Sequence, residues 1–443
     1  MGSTNPCNLL RVETSGVSHD AVLEWLREIE PFAAASDWER TSVGNEIVML
    51  AMSPLRFDPR VERGARALAG AGWHVRIVAP DISTPSLAAE PLSWGPGISF
   101  HLLPLAVSQY VTKAPWLVSE AFFLAAVAFR PFAYHCHDLN TALIGLRAAR
   151  EMGARWVCDF HEWFSENVTF NVATTTWEPH DSAKKAFFRW AEVICLQRAD
   201  AVITVSERIA LEMENLIDTI DRHVEVIRNI PKLDVNPTRT YPPVKTQLGL
   251  TETTTVVLYQ GGTGPSRLLE PVIKALALSP KITLVIRGPS LDVFGRGYRN
   301  IAKRVGVSER LILTDPVPSA DVVAAACGAD AGLWTLPNLS KNFYLALPNK
   351  VFEYLASGLP LLVADFPEPR RIVERFGVGM FFDPYDPSSI AAQMNRLVHD
   401  VSFAERCRAA IPGALVALKA TREWDRLADL YERLRLGRVP VCT

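Results

Sequence analysis

From residue 45 onward the chain alternates short apolar runs with segments whose apolar residues recur at helical spacing. Ile47 to Met52 is an uninterrupted apolar run of strand length, Val61 to Ala71 carries a helical pattern closed by Gly72, and Val75 to Ala79 is the next apolar run. Such runs suit strands buried on both faces, and strand–helix–strand order implies a parallel sheet. The rhythm recurs at Ala133 to His137, Trp156 to Phe160 and Ala201 to Val205. It breaks over Arg228 to Thr254, where Pro231, Pro237, Pro242 and Pro243 predict a linker. A second series follows at Thr255 to Tyr259, Ile282 to Arg287, Leu311 to Thr314, Ala331 to Trp334 and Leu361 to Ala364. The predicted fold class is α/β, with two parallel-sheet domains facing a cleft at the carboxyl ends of their strands, where open sheets of this kind bind ligands.

Two segments flank this rhythm. Val22, Trp25, Leu26 and Ile29 predict one amphipathic helix over His19 to Glu30. Leu415 to Leu436 predicts a last helix with Trp424, Leu427, Leu430 and Tyr431 on its apolar side. The expected division is an N-terminal extension over 1–44, a first domain over 45–230, a second over 231–412, and a C-terminal helix over 413–443 packing back on the first domain. A length of 443 residues suits two such domains.

Composition narrows the class. Apolar residues make up 49% and charged residues 21%, as in soluble globular proteins. A net charge of −2 gives no general attraction to nucleic acid or to an anionic membrane. The seven cysteines are odd in number and widely spaced, without a Cys-x-x-Cys pair, so neither a disulfide framework nor a zinc site is expected. The start of the chain lacks a basic stretch followed by an apolar one, so a cytoplasmic location is expected. The apolar stretch Ala114 to His135 is interrupted by Glu120 and Arg130, which predicts a buried helix and at most peripheral membrane contact.

The most specific motif is Leu347-Pro348-Asn349-Lys350-Val351-Phe352-Glu353-Tyr354-Leu355-Ala356-Ser357-Gly358-Leu359-Pro360. Pro348 and Asn349 start a helix that Gly358 ends, and the free amides at its start suit an anion. Lys350 adds a positive charge in the first turn. Glu353, one turn on, can accept hydrogen bonds from the vicinal hydroxyls of a ribose. A second signal is Tyr259-Gln260-Gly261-Gly262-Thr263-Gly264, directly after the first strand of the second domain, with Arg267 close behind. Glycines there let backbone amides approach a phosphate. No Gly-Lys-Ser/Thr follows, so it is not a P-loop. Arg287-Gly288 ends the next strand and is placed at the same edge.

The long string resembles the nucleotide-sugar-binding segment of glycosyltransferase family four, in the branch with a Pro-Asn-Lys-x-Phe-Glu-Tyr signature. The resemblance covers roughly Asn45 to Tyr431. It implies a GT-B fold of two Rossmann-like domains, a nucleoside diphosphate sugar as co-substrate with no further cofactor, and retention of anomeric configuration. The donor-binding residues it implies are Gly261, Gly262, Gly264, Arg267, Arg287, Gly288, Asn349, Lys350, Val351 and Glu353. Many members carry a second glutamate eight positions before the one that Glu353 matches; here that position is Leu345. His135-Cys136-His137-Asp138 resembles the family's His-x-His-acid segment, whose second histidine, here His137, sits against the donor sugar. Asp159-Phe160-His161-Glu162 resembles an Asp-x-His-Glu segment of the same branch. His137, Asp138 and Glu162 are thus the implied catalytic group, and Asp58, Arg60 and His161 the implied acceptor side. Asp58 with Pro59 also reads as a helix cap. No Asp-x-Asp pair is present, so no essential metal is expected. The acceptor is expected to be a small or lipid-linked molecule. A nucleotide-sugar epimerase of the same fold and a catalytically silent nucleotide-sugar-binding protein are the alternative readings.

Overall fold

A computed structural model describes residues 38–437 apart from 54, 56–57, 82–91, 105–114, 172–175, 218–222, 232–239, 319–320 and 420–421. The helix expected over His19 to Glu30 lies outside the described residues. The chain forms two compact units: one holds the residues up to Arg228 together with those from Trp424 onward, and Asn229–Glu423 form the other.

The first unit is built on a seven-stranded parallel sheet. Its strands are β1 (Glu46–Ala51), β2 (His74–Pro80), β3 (Ile98–Leu103), β4 (Ala133–His137), β5 (Arg155–Phe160), β8 (Ala201–Thr204) and β9 (Glu225–Val226), in the order β3-β2-β1-β4-β5-β8-β9. Between β5 and β8 an antiparallel hairpin is made by β6 (Val168–Asn171) and β7 (Thr176–Pro179). The order reverses between β1 and β4, which is where parallel sheets of this topology open a crevice at their carboxyl ends. Helices α1 (Pro59–Gly70), α2 (Leu139–Met152) and α3 (Ser182–Arg198) follow β1, β4 and β7. Helix α1 begins as its sequence predicts: the Asp58 carboxylate accepts from the amides of Arg60 and Val61, with Pro59 at the first position. Helix α2 lies tight on β4 because Gly145 has no side chain; a Cβ there would sit 2.0 Å from Cys136 Sγ.

The second unit repeats the plan with six parallel strands: β10 (Thr255–Gln260), β11 (Ile282–Arg287), β12 (Leu311–Thr314), β13 (Ala331–Trp334), β14 (Leu361–Ala364) and β15 (Gly379–Phe382). Their order is β12-β11-β10-β13-β14-β15, with the reversal between β10 and β13. Helices α4 (Leu291–Arg304) and α5 (Asn349–Ala356) are the two that matter for the site. The apolar runs read as strands are buried on both faces, as their lack of alternation requires, apart from the half-buried edge strand β12. The edge strands β3, β9 and β15 and the hairpin were not expected.

The C-terminal segment differs from the expectation. Leu415 to Leu436 is not one helix: Val401–Ala417 is a helix of the second unit, with Ala404, Ile411 and Ala414 in its core, and Asp425–Arg435 is a separate helix of the first. In that last helix Leu427, Leu430, Tyr431 and Leu434 enter the first unit's core beside α1. The apolar stretch before β4 forms a helix over Pro115–Val127, in which Phe122 and Ala126 are buried. Among the described residues no helix is long and apolar enough to cross a membrane. The described cysteines, Cys136, Cys158, Cys195, Cys327 and Cys407, are free.

Candidate active site

In the first unit β4 pairs with β1 on one side and β5 on the other, in a register that sets Ala51 beside His137 and His137 beside Asp159. Side chains alternate along a strand, so His135 and His137 share a face; their rings lie 4.6 Å apart and both are buried. Asp159 is at the centre of the cluster. Arg60 Nε reaches Asp159 Oδ2 at 3.0 Å and Arg60 Nη2 reaches Oδ1 at 2.5 Å. His135 Nε2 lies 3.4 Å and His137 Nδ1 3.5 Å from Oδ2. Burial opposes the charge on Asp159, but Arg60 and the His135 hydrogen bond outweigh it and hold the carboxyl well below its usual range. Arg60 is only 1% exposed and also donates to the carbonyl of Ile227 at 2.8 Å. The expectation that Arg60 reaches an acceptor is therefore corrected: its guanidinium is consumed within the unit.

Just beyond β4 the chain turns sharply. Asp138 has φ 62° and ψ 167°, a region nearly reserved for glycine that costs a side-chain-bearing residue on the order of 1–3 kcal/mol. This turn aims its carboxylate at the segment after β5, where Oδ1 accepts from the His161 amide at 2.8 Å and Oδ2 lies 3.4 Å from His161 Nδ1. Burial pushes the Asp138 carboxyl up to about 6, with His161 opposing the shift. His161 Nε2 in turn meets His137 Nδ1 at 3.0 Å. His137 Nε2 is left buried with no hydrogen-bond partner among the described residues. Burial lowers the His137 pKa well below its ordinary value, and His135 and His161 add to the effect, so the ring is neutral. Of the other expected residues, Asp58 caps α1 and accepts from Ser53 Oγ at 2.5 Å, while Glu162 is exposed and accepts from Asn167 Nδ2.

The segment that carries His161 and Glu162 is anchored on α3. The Glu192 carboxylate accepts from the Ser165 amide at 2.9 Å, and Glu166 pairs with Lys185 at 2.9 Å and Arg189 at 3.1 Å. Glu192 is 1% exposed, and burial pushes its pKa up to about 7, with the Ser165 hydrogen bonds opposing. A carboxyl raised in the folded state supports folding below its unfolded value and withdraws that support as pH rises through its folded value. From the 4.5 of a free glutamate to about 7, this is on the order of 3 kcal/mol by pH 8. Glu192→Gln, which keeps the acceptor for Ser165, is expected to raise the melting temperature at pH 8 and to leave it nearly unchanged at pH 4.5. An equal change at both values, followed by calorimetry, would contradict a carboxyl that ionises inside the fold.

By donor type, His135, His137 and Asp159 could hold a metal, with ligand atoms within 4.8 Å of one another. The charge balance does not call for one, because Arg60 already compensates Asp159 from 2.5 Å.

In the second unit the glycine turn follows β10. Gly261 has φ 144°, and a Cβ there would sit 2.0 Å from Lys350 Cε, so the lysine stem lies directly across the turn. Gly288 is as constrained: its Cβ would fall 2.0 Å from the Gly261 carbonyl oxygen. The Gly264 amide donates to the Tyr298 hydroxyl on α4 at 2.8 Å, and Arg267, in the 3-10 turn Pro265–Arg267, lies beside Gly262. Helix α5 starts after Pro348 without a side-chain cap, and Val351, in its first turn, is buried. Tyr354 sets the height of α5. Its hydroxyl accepts from the Gln260 amide at 2.8 Å and donates to the Leu333 carbonyl at 3.0 Å, and its ring fills the space that a Cβ on Gly332 would take. Lys350, Glu353 and Arg267 make no side-chain hydrogen bond or ion pair among the described residues. Burial lowers the Lys350 pKa, Glu353 opposes this and Arg267 adds to it. Asn349 opens the helix and Leu345 is buried just before it.

Arg287 does not join this group. It is 2% exposed and donates to Gln260 Oε1 at 3.0 Å, Ala325 O at 2.7 Å and Gln247 Oε1 at 2.9 Å. Its expected donor contact is corrected to a brace between β11 and the residues around it.

Residues 58–229 match the family described as Glycosyl transferase 4-like domain, and residues 242–412 match Glycosyl transferases group 1. The chain belongs to glycosyltransferase family four. It is 26% identical to the D-inositol 3-phosphate glycosyltransferase of Nocardioides sp., over 70% of each chain. With the enzyme of that name from Mycobacterium ulcerans it shares 23% identity, over 83% of this chain and 76% of the relative. Solved structures confirm the GT-B architecture. The sucrose-phosphate synthase of Thermosynechococcus elongatus superposes with a TM-score of 0.70 at 17% identity, covering 89% of this chain and all of that one. The Anabaena HepE protein in complex with UDP-glucose gives 0.65 at 14%, covering 87% and 99%. In this glycosyltransferase, sequence reasoning passed over Asp159, His135 and Tyr431 as site residues. Asp159 and His135 stood inside quoted motifs, but nothing local marked them as the hub; Tyr431 lies 296 positions from the histidine it touches.

Proposed function

We propose that this glycosyltransferase transfers a sugar from a nucleoside diphosphate sugar to a hydroxyl of a small or lipid-linked acceptor, with retention and without a metal, in the cytoplasm. The observation that carries the reading is the set of unpaired charges around the second unit's glycine turn. Arg267 and Lys350 offer two cations at the glycine turn, and Glu353 offers a carboxylate one helical turn from Lys350 with no hydrogen bond among the described residues. Two cations suit a diphosphate, and the carboxylate suits the paired hydroxyls of a ribose. As the bond to the sugar breaks, negative charge grows on the diphosphate, and fixed donors lower that barrier without reorganising. In the first unit, His137 Nε2 offers a buried and unused hydrogen-bonding atom to a hydroxyl of the donor sugar. No covalent nucleophile is assigned; retention is read as reaction on one face through an oxocarbenium-like state. Leu345 offers no hydrogen bond, so a sugar hydroxyl that meets a glutamate in many relatives needs another partner here.

The relatives choose the first ligands: UDP, since the HepE structure is a complex with UDP-glucose, and a phosphorylated polyol as acceptor, since the similar enzymes are D-inositol 3-phosphate glycosyltransferases. In a thermal-shift series with UDP, GDP and dTDP, one nucleotide is expected to stabilise the protein by about 2.7 kcal/mol at a hundredfold excess over its Kd. Turnover with that donor is expected to survive EDTA. No shift with any diphosphate would remove the donor assignment. Activity lost in chelator and restored by magnesium or manganese would remove the metal-free reading, and product formed without acceptor would point to an epimerase.

A further inference from the structure

The buried cluster around Asp159 extends, on the side away from His161, to a residue far away in sequence. Tyr431, on the C-terminal helix Asp425–Arg435, places its hydroxyl 2.9 Å from His135 Nδ1, and the two rings lie 6.0 Å apart at 22°. Both side chains are fully buried. The other ring nitrogen of His135 faces Asp159 Oδ2 at 3.4 Å. An ionised carboxylate only accepts, so His135 must carry a proton on Nε2. Arg60 already supplies the positive charge that balances Asp159, and a neutral ring then has a lone pair on Nδ1. Tyr431 must therefore be the donor in its bond to His135. Burial drives the phenol's pKa well above its usual value, in keeping with a hydroxyl that retains its proton.

The same accounting continues to His137. With Arg60 and His135 Nε2–H on Asp159, the proton of His137 sits on Nδ1, between Asp159 Oδ2 at 3.5 Å and His161 Nε2 at 3.0 Å. His161 Nε2 is free to accept because its Nδ1 faces the Asp138 carboxylate at 3.4 Å. His137 Nε2, the atom without a partner, is then a lone pair, which takes the hydrogen of a ligand hydroxyl.

We propose that Tyr431 is a positioning residue that, by donating to His135, holds that ring on Asp159, the carboxylate that keeps the His137 proton on Nδ1 and its Nε2 lone pair open to a substrate hydroxyl. The C-terminal helix thereby does more than fill the first unit's core. Without the phenol hydroxyl, His135 Nδ1 is a buried lone pair with no donor, and the ring is held from the Asp159 side alone.

The test uses the full-length protein with 15N-labelled histidine and the variants Tyr431→Phe and His135→Gln, the latter to assign the His135 signals. Long-range 1H–15N spectra of the wild type are expected to show His135 protonated at Nε2, with its Nδ1 resonance displaced by the hydrogen bond it accepts, a displacement lost in Tyr431→Phe. Turnover of Tyr431→Phe is expected to fall about tenfold, the size of one buried hydrogen bond, with nucleoside diphosphate affinity unchanged. A wild-type His135 protonated at Nδ1 would overturn the proposal, as would a Tyr431→Phe protein with wild-type turnover, or stoichiometric zinc in elemental analysis. If Tyr431→Phe fails to fold, the wild-type spectrum decides alone. The turnover measurement rests on the sugar-transfer reading; the spectrum is taken on the free protein and does not, so the two can fail separately.

Discussion

His137→Ala is expected to lower turnover on the order of a hundredfold while nucleoside diphosphate affinity stays at the wild-type value. The separation follows from where the groups are. The proposed diphosphate and ribose partners, Arg267, Lys350 and Glu353, all belong to the second unit, and His137 ends β4 of the first. Its one unused atom, Nε2, can meet the transferred sugar without meeting base, ribose or phosphate. An interaction made mainly in the transition state costs turnover rather than ground-state binding. The competing possibility is a core histidine, since the ring is only 3% exposed. In that case the variant loses melting temperature and its activity falls in step with the folded fraction. Melting temperature, diphosphate affinity and turnover on one preparation separate the two, and a folded variant with wild-type turnover would sink the assignment.

Glu353→Ala is expected to weaken nucleoside diphosphate binding by at least tenfold and to leave the fold intact. A carboxylate that accepts one or two hydrogen bonds from a ribose contributes roughly 1.5–3 kcal/mol for each. The fold should not notice, because the Glu353 side chain makes no hydrogen bond or ion pair among the described residues. The neighbouring Tyr354 is the contrast: its hydroxyl bridges Gln260 and Leu333, so Tyr354→Phe should lower melting temperature along with affinity. Titration calorimetry on Glu353→Ala decides the matter; unchanged affinity for every nucleoside diphosphate would mean that the helix start is not the nucleotide site.

Much of this was legible along the chain because it is local. Strand β4, strand β11 and strands β12 to β14 fall on the predicted residues, since each is a short, largely apolar run of strand length. The cap of α1 was equally local: Asp58 and Pro59 act within one turn. Lys350 and Glu353 were legible because they share one helical turn whose start and end are written in Pro348 and Gly358.

The sequence did not say which charged residues were free. Arg60, Arg267 and Arg287 look alike in sequence, each close to a strand end. Only the packed structure separates them: Arg60 meets Asp159 across 99 positions and Arg287 meets Gln260 across 27, which leaves Arg267 as the one of the three without a side-chain partner among the described residues. The break between Val401–Ala417 and Asp425–Arg435 was also invisible, because apolar residues at helical spacing occur on both sides of it. By itself the sequence determined the alternation of strands and helices, the glycine turn and the helix start that suits a nucleotide. The tertiary structure alone decided which cations remain available, and that Asp159, His135 and Tyr431 form one buried chain. The reason is physical: period and capping act within a few residues, whereas pairing a buried charge depends on partners that meet only when the chain folds.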